Sequence, residues 1–237
     1  MLTADQLLDA LIARARPLAD SETVAVAAAL GRVLAAPQTS TINVPPLDNS
    51  AMDGYAVRLA DVARAGTRLP VAQRILAGRV GAELAPGTAA RIFTGAPVPP
   101  GADAVLMQED CVADGDQVTV NKLPRPGENI RRAGEDIVAG AQVLAAGTRL
   151  GAAEMGLAAS VGLARLPVYR KLKVACFFTG DELVMPGEPL GAGQIYNSNR
   201  YLLSGLLHGL GCELIDLGIV PDTLAATTDT LRRAAHE

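Results

Sequence analysis

Histidine is nearly missing from this chain. Of 237 residues only His208 and His236 carry an imidazole, too few for a His-based zinc site or a Ser-His-Asp triad. The three cysteines, Cys111, Cys176 and Cys212, are odd in number, far apart and without any CxxC pair. That excludes a disulfide framework and a zinc knuckle, and each is expected to be a small buried apolar residue. Basic runs are lacking too: 21 basic against 25 acidic residues leave a formal net charge of −4. No stripe of cations is available to track a nucleic-acid backbone or an anionic membrane. Long apolar runs are absent, since the longest uncharged stretch, residues 33–47, has 15 residues and three prolines. A transmembrane helix needs about 20 apolar residues. A polar helix start directly after Met1 predicts a cytoplasmic chain. No glycine-rich phosphate loop of the dinucleotide or Walker type is present. Chemistry must therefore run on carboxylates, hydroxyls, amides and bound ions.

What is abundant is punctuation. The 24 glycines and 15 prolines are spread along the chain, which predicts many turns and short strands. The length suits one large domain or two to three small ones, at roughly 100–200 residues per domain. Thr3-Ala4-Asp5-Gln6 is a capping-box pattern, and Leu7, Leu8, Leu11 and Ile12 follow at helical spacing until Pro17. Residues 23–26 read as extended and 27–34 as a short helix carrying Gly31, so the first segment is predicted to be largely helical. From Pro45 to Gly140 the texture turns to β-rich runs such as 55–57, 104–107 and 117–120, the pattern of a small barrel or sandwich. Asp114-Gly115, between the last two runs, marks a hairpin. Residues 152–161 return to helix, with Glu154 in the first turn where the dipole favours an acid. Residues 172–178 form a buried-type strand that runs straight into Thr179-Gly180-Asp181-Glu182. Polar loops at strand carboxyl ends are where open α/β sheets hold ligands. Helices over 201–210 and 223–236 flank a second strand over 213–220. Two strands and two helices are the opening half of a doubly wound sheet, so this last domain is expected to be incomplete.

Four segments concentrate polar chemistry. Residues 45–55 pack Asp48, Asn49, Ser50 and Asp53 into one loop, which reads either as a seat for a cation or polar substrate or as an Asx-rich turn capping its own backbone. Residues 91–103 offer the Thr94 hydroxyl and the Gly95 amide to an anion, or form a proline-stiffened barrel loop. Residues 127–137 carry Arg131, Arg132, Glu135 and Asp136, a set that also reads as a solvated surface with weak ion pairs. Asp181 and Glu182 are paired carboxylates for Mg²⁺ or for acid–base work, and Ser198 and Asn199, with Arg200 nearby, open a helix that can seat a phosphate. His208 reads as structural.

Taken in order, several strings resemble one family. They are Gly31-Arg32-Val33-Leu34-Ala35, residues 48–57 (Asp-Asn-Ser-Ala-Met-Asp-Gly-Tyr-Ala-Val), Thr94-Gly95-Ala96-Pro97, Gly134-Glu135-Asp136-Ile137, and Thr179-Gly180-Asp181-Glu182-Leu183 through Gly193-Gln194-Ile195-Tyr196. Together they are similar to the molybdopterin molybdenumtransferases, that is, the MoeA-type enzymes and the E domain of gephyrin. The resemblance implies an α+β multidomain fold. An elongated dimerisation domain would take residues 1–44 plus 141–170, an inserted β-rich barrel-like domain 45–140, and an incomplete α/β molybdopterin-binding domain 171–237. It implies insertion of molybdate into adenylylated molybdopterin with release of AMP, Mg²⁺ as cofactor, a homodimer with a shared cleft, and a molybdopterin adenylyltransferase as pathway partner. Carried over by motif, Asp53, Thr94, Asp136 and Glu182 are catalytic candidates. Glu182 and Asp53 would place substrate or Mg²⁺-bound water, Thr94 would bond a substrate oxyanion, and Asp136 would orient the neighbouring arginines. Asn49, Ser50, Asp181 and Asn199 are substrate-binding candidates. Phe178 and Asn197 depart from the family pattern, which has a small hydroxyl residue and commonly an acid there. The family's Ser-Gly-Gly stretch does not occur before Glu237, so the 237-residue chain is expected to be inactive alone. The alternatives are a non-catalytic dimerisation or scaffold module and a Mg²⁺-dependent phosphate-ester hydrolase.

Overall fold

A computed structural model describes residues 3–16 and 20–237. The chain divides into two compact units, one made of Gln38–Leu144 with Leu157–Gly162, the other of the residues up to Pro37 with Ala145–Gly156 and Leu163–Glu237.

The first unit is built on a six-stranded sheet. Its spatial order is Ala104–Met107, Gly54–Val57, Ala89–Ile92, Thr67–Ile75, Gln117–Val120 and Cys111–Asp114. All neighbours are antiparallel except Thr67–Ile75 with Ala89–Ile92. The nine-residue strand Thr67–Ile75 makes the sheet curl: its first half pairs with Gln117–Val120, its second half with Ala89–Ile92, and the register shifts between Val71 and Gln73. Such an irregularity bends a strand and raises its local twist, which gives the barrel-like outcome expected from the short runs. Gly54–Val57 is buried at all four positions. Alternation still holds there: Tyr55 and Val57 join a core with Leu69, Leu106, Val118 and Val120, while Ala56 faces a second core with Ile75, Leu84, Ile92 and Val105. Both faces are covered, so a continuous apolar run replaces the in-out pattern. The predicted hairpin exists, but its first strand is Cys111–Asp114, not the run at 104–107. Gly115, at φ 61°, supplies the positive φ that the tight loop requires.

In the second unit the helix Ala4–Arg14 forms as its capping box predicts: the Gln6 N–H donates to Thr3 Oγ1 at 3.2 Å, and the Thr3 N–H to Gln6 Oε1 at 3.0 Å. None of its side chains is buried, and Leu7, Leu8, Leu11 and Ile12 stand open. The helix expected at 27–34 does not form. A single 3-10 turn, Val26–Ala28, is followed by Gly31 at φ 75°. The Gly31 and Leu34 N–H groups donate instead to the carbonyls of Leu150 and Thr148, at 2.7 and 2.9 Å. These long-range bonds outweigh a local helical preference worth only tenths of a kcal/mol per residue. Strand Ser21–Ala25 pairs antiparallel with Arg165–Tyr169, so the first segment is mixed, not largely helical.

Farther along this unit, Lys173–Thr179 and Glu213–Val220 lie parallel, with helix Ser198–Gly209 between them in sequence and Leu224–His236 after. Thr223 caps the last helix, its Oγ1 accepting the Ala226 N–H at 3.2 Å. The strand expected to be buried is only half-buried from Val174 to Phe178, because its sheet has two strands among the described residues. The three cysteines are likewise half-buried and unbonded, not fully enclosed as expected. Burial still pushes the Cys111 thiol up to about 11.

Candidate functional site

Three of the predicted loops meet in the curled-sheet unit. Asn49–Ser50 pairs antiparallel with Ile130–Arg131, and Asn49 bridges to Pro97. The Ser50 N–H donates to the Ala96 carbonyl at 2.9 Å and the Gly95 N–H to the Ser50 carbonyl at 2.8 Å. The loop 91–103 is thereby held against the loop 45–55. At their contact Asp53 Oδ1 accepts two bonds from Thr94, from its N–H and its hydroxyl, each 2.8 Å long. The Thr94 N–H, then its hydroxyl, with the nearby Arg91 charge, hold the Asp53 carboxyl below its usual range. Asp53 is therefore an anion at neutral pH. It accepts hydrogen bonds and attracts cations, and it has no proton to give.

Around this pair lies an arrangement the sequence did not announce. Arg91 donates to the Gly54 carbonyl at 2.8 Å and to Gln108 Oε1 at 2.7 Å. Its guanidinium lies 4.5 Å from the Phe93 ring centroid and 5.2 Å from that of Tyr55, with Arg74 at 4.6 Å from Phe93. Cation–π stacking of this kind stiffens the strand that presents Thr94. The Arg91-Ile92-Phe93 alternation was the only available signal, since Arg74 belongs to a different strand.

The other candidates in this unit have definite surroundings. Ser50 is 1% exposed, and its hydroxyl donates to the Met52 carbonyl at 2.6 Å while accepting the Met52 N–H at 3.3 Å. It closes its own turn. Asn49 has a buried Oδ1 with no donor among the described residues. Asp136 accepts from Arg131 at 2.6 Å, and Arg131 also reaches Glu135 at 3.4 Å. Asp48 takes the Ala133 N–H at 2.8 Å and the Arg132 guanidinium at 2.5 Å, and these bonds hold its carboxyl low, the Ala133 N–H most of all.

Glu182, Asp181 and Asn199 lie in the other unit. A cleft of about 370 Å³ opens at the carboxyl end of Lys173–Thr179, walled in part by Thr179, Glu182, Tyr196, Asn197, Ser198 and Asn199. Gly180, at φ 147°, lets the Glu182 carboxylate fold over it, since a Cβ there would lie 2.6 Å from Glu182 Oε2. Asn197 caps helix Ser198–Gly209, its Oδ1 accepting the Arg200 N–H at 3.2 Å. The Arg200 side chain turns to Asp216 at 2.6 Å. Asp181 faces elsewhere: its Oδ1 accepts the Asp222 N–H at 3.4 Å. Asp222 was passed over in the sequence, yet it follows the end of the second parallel strand, the position at which such sheets hold ligands.

The comparisons with known proteins agree with these motifs. Residues 2–162 match a family model described as the MoeA N-terminal region (domain I and II), and residues 175–237 match one described as "Probable molybdopterin binding domain". A molybdopterin molybdenumtransferase of Haemophilus influenzae is 45% identical over 227 residues, covering 95% of this chain and 56% of the relative. One of Nostoc is 42% identical over 220 residues, covering 91% and 50%. The chain thus spans about half the length of the curated relatives it matches. Among solved structures, a molybdopterin biosynthesis MoeA protein of Pyrococcus horikoshii superposes with a TM-score of 0.82 at 35% identity, covering 92% of this chain and 59% of that one. Another crystal structure of a molybdopterin biosynthesis MoeA protein from Pyrococcus horikoshii gives 0.84 at 34%, over 100% of this chain and 61% of that one. With more than half of its residues in the first match, this chain belongs to the MoeA family, whose N-terminal region, domains I and II, it carries at residues 2–162.

Proposed function

We propose that this chain serves molybdenum cofactor biosynthesis as the N-terminal portion of a molybdopterin molybdenumtransferase, acting on adenylylated molybdopterin and molybdate. The observation that carries the reading is the Asp53–Thr94 clamp, which holds an anionic carboxylate and a hydroxyl together at a loop contact. In it Asp53 orients water or a cation, and Thr94 presents its hydroxyl to a substrate oxygen. Asp136 steadies Arg131 for an anionic substrate, and Glu182 with Asn199 walls the cleft at the carboxyl end of Lys173–Thr179. Asn49 lies in the loop that carries Asp53, and Asp181 stands next to Glu182 with its carboxylate bonded to the Asp222 N–H.

The reading brings Mg²⁺ with it. Mg²⁺ keeps most of its water and is commonly held by one or two carboxylates plus substrate phosphate. The described residues gather no group of three or more metal-ligating side chains, and Asp181 or Glu182, at the carboxyl end of a parallel strand, would suffice for an ion of that habit. When bound it would neutralise phosphate charge. The chain would receive its substrate from a molybdopterin adenylyltransferase in the cytoplasm; no helix among the described residues is long and apolar enough to cross a membrane.

A chimera tests this reading. Residues 1–237 would replace the aligned part of the Haemophilus influenzae relative, in a bacterium lacking its own molybdenumtransferase. The chimera is expected to restore molybdoenzyme activity, and Asp53→Ala or Glu182→Ala to lower it about a hundredfold. A soluble chimera without activity overturns the function; full activity in both variants overturns the site.

One observation favours association as well. The exposed stripe Leu7, Leu8, Leu11 and Ile12 on a capped helix fits a homodimer contact, since clustered exposed apolar residues mark interaction surfaces. Sedimentation at micromolar concentration is expected to show a dimer that Leu8→Glu with Ile12→Glu weakens; a wild-type monomer excludes it.

A further inference from the structure

We infer that Arg74 and Arg91, side by side on the curled sheet, form a seat for a tetrahedral oxyanion. The two are register partners on the parallel strands Thr67–Ile75 and Ala89–Ile92, so their side chains leave the same face of the sheet. Both guanidiniums stand over one ring, that of Phe93, at 4.6 and 4.5 Å from its centroid. Like charges placed directly opposite each other on a sheet repel. A counter-ion between them removes that cost.

The protein supplies no such counter-ion. Among the described residues neither Arg74 nor Arg91 has a carboxylate oxygen within ion-pair distance. By contrast Arg58, Arg68, Arg125, Arg131 and Arg132 of the same unit each meet an acid. The acids along this part of the chain are engaged elsewhere. Asp53 takes the N–H and the hydroxyl of Thr94, Glu109 meets the Gln108 amide at 3.4 Å, and Asp110 meets Lys122 at 3.4 Å. The charge of Arg91 reaches Asp53, so the pair borders the Asp53–Thr94 clamp. Two cations against that one anion leave a surplus positive charge.

The donors are arranged to use it. Arg91 spends its terminal nitrogens on the Gly54 carbonyl and Gln108 Oε1, at 2.8 and 2.7 Å, which fixes its guanidinium and leaves Nε–H without an acceptor among the described residues. Arg74 is exposed and has no hydrogen-bond acceptor among them, so its whole fork of donors is open. A guanidinium fork matches two oxygens of a phosphate-like group, and a second cation beside it favours an anion with two charges and further oxygens. This deepens the proposed function by giving the substrate oxyanion a donor set in the curled-sheet unit. It rests on that reading only for which oxyanion arrives, a phosphoryl group or molybdate.

The test uses the 237-residue chain, with inorganic phosphate and molybdate as separate probes, at constant ionic strength and about pH 7, where a phosphoryl group carries about 1.5 to 2 negative charges. Calorimetry gives the affinity. In ¹H–¹⁵N spectra the Arg74 Nε–H signal, assigned by its loss in Arg74→Gln, is expected to shift saturably. Arg74→Gln is expected to lower the affinity about tenfold. Arg79→Gln removes an equal charge from an exposed arginine that meets neither acid nor ring among the described residues, and is expected to change it less than about twofold. Because the unfilled pair repels itself, Arg74→Gln is also expected to keep or raise the denaturation midpoint in buffer free of both probes. No saturable binding, an Arg74 signal that stays in place, an equal fall in Arg74→Gln and Arg79→Gln, or a lowered midpoint with unchanged affinity each overturns the seat. Tighter phosphate binding supports it as a phosphoryl seat, and tighter molybdate binding supports it as a seat for the metal oxyanion. The chimera experiment reads turnover and this one reads binding in a single unit, so either can fail alone.

Discussion

One missing methyl group decides whether the strand Gly54–Val57 of the curled sheet can pair with Ala104–Met107. A Cβ placed on Gly54 would lie 1.8 Å from the carbonyl oxygen of Leu106, and backbone cannot yield as the tip of a side chain does. Gly54→Ala is therefore expected to cost about 3 kcal/mol or more, read as a lower denaturation midpoint with an unchanged m-value. In the sequence Gly54 belonged to a string singled out for chemistry. Its reason proves to be packing, one residue from the carboxylate of Asp53, for which a role in the chemistry is proposed. Asp53 and Thr94 were each legible as polar residues in loops, and their partnership was not, because 41 residues separate them. Ser50 shows the converse: a hydroxyl beside an acid invites a binding role, yet its bonds to Met52 close its own turn.

Elements followed local pattern wherever no distant partner competed. The first helix, the helix Ser198–Gly209 and the strand Glu213–Val220 lie where caps and periodicity place them. The segment after Ala28 did not, since the carbonyls of Thr148 and Leu150 took its N–H groups. Strand Ala104–Met107 shows how much an element can depend on both its faces: Leu106 belongs to one core and Val105 to the other, each with no exposed surface. Leu106→Ala is expected to destabilise the unit by about 2–5 kcal/mol, as transfer and cavity costs add. Thermal or chemical denaturation checks it, and a loss below about 1 kcal/mol would mean that the core collapses around the gap.

At the scale of the molecule, acid response follows from carboxylates buttressed inside the curled-sheet unit. Glu128, whose side chain is 7% exposed, bonds to the Lys122 ammonium at 2.7 Å and to the Arg125 N–H at 2.9 Å. The Lys122 ammonium, then the Arg125 N–H, hold its carboxyl below the ordinary 4.5. Asp48 is held low in the same way, from an ordinary 3.8. A carboxyl with a depressed native pKa contributes stability that is complete above its unfolded value and lost as pH falls through the native one. The denaturation midpoint of the chain is expected to stay flat from about pH 7 to 5 and to fall below about 4. Glu128→Gln should lower the neutral plateau and flatten the acid limb, and an unchanged acid limb would show that other groups set it.

By itself the sequence determined what depends on neighbours along the chain: caps, turns, helical and strand periods, and the ordered strings that identify the family. It also determined the chemistry, because scarce histidine and unpaired cysteine left carboxylates, hydroxyls and amides. Only the tertiary structure decided what those groups meet. It joined Asp53 to Thr94, stacked Arg91 and Arg74 on Phe93, enclosed the Ser50 hydroxyl, and buried the Asn197 Nδ2 without a hydrogen-bond partner among the described residues. Propensity acts over a few residues, whereas a buried donor or carboxylate takes its energy from atoms that the fold brings from tens of residues away.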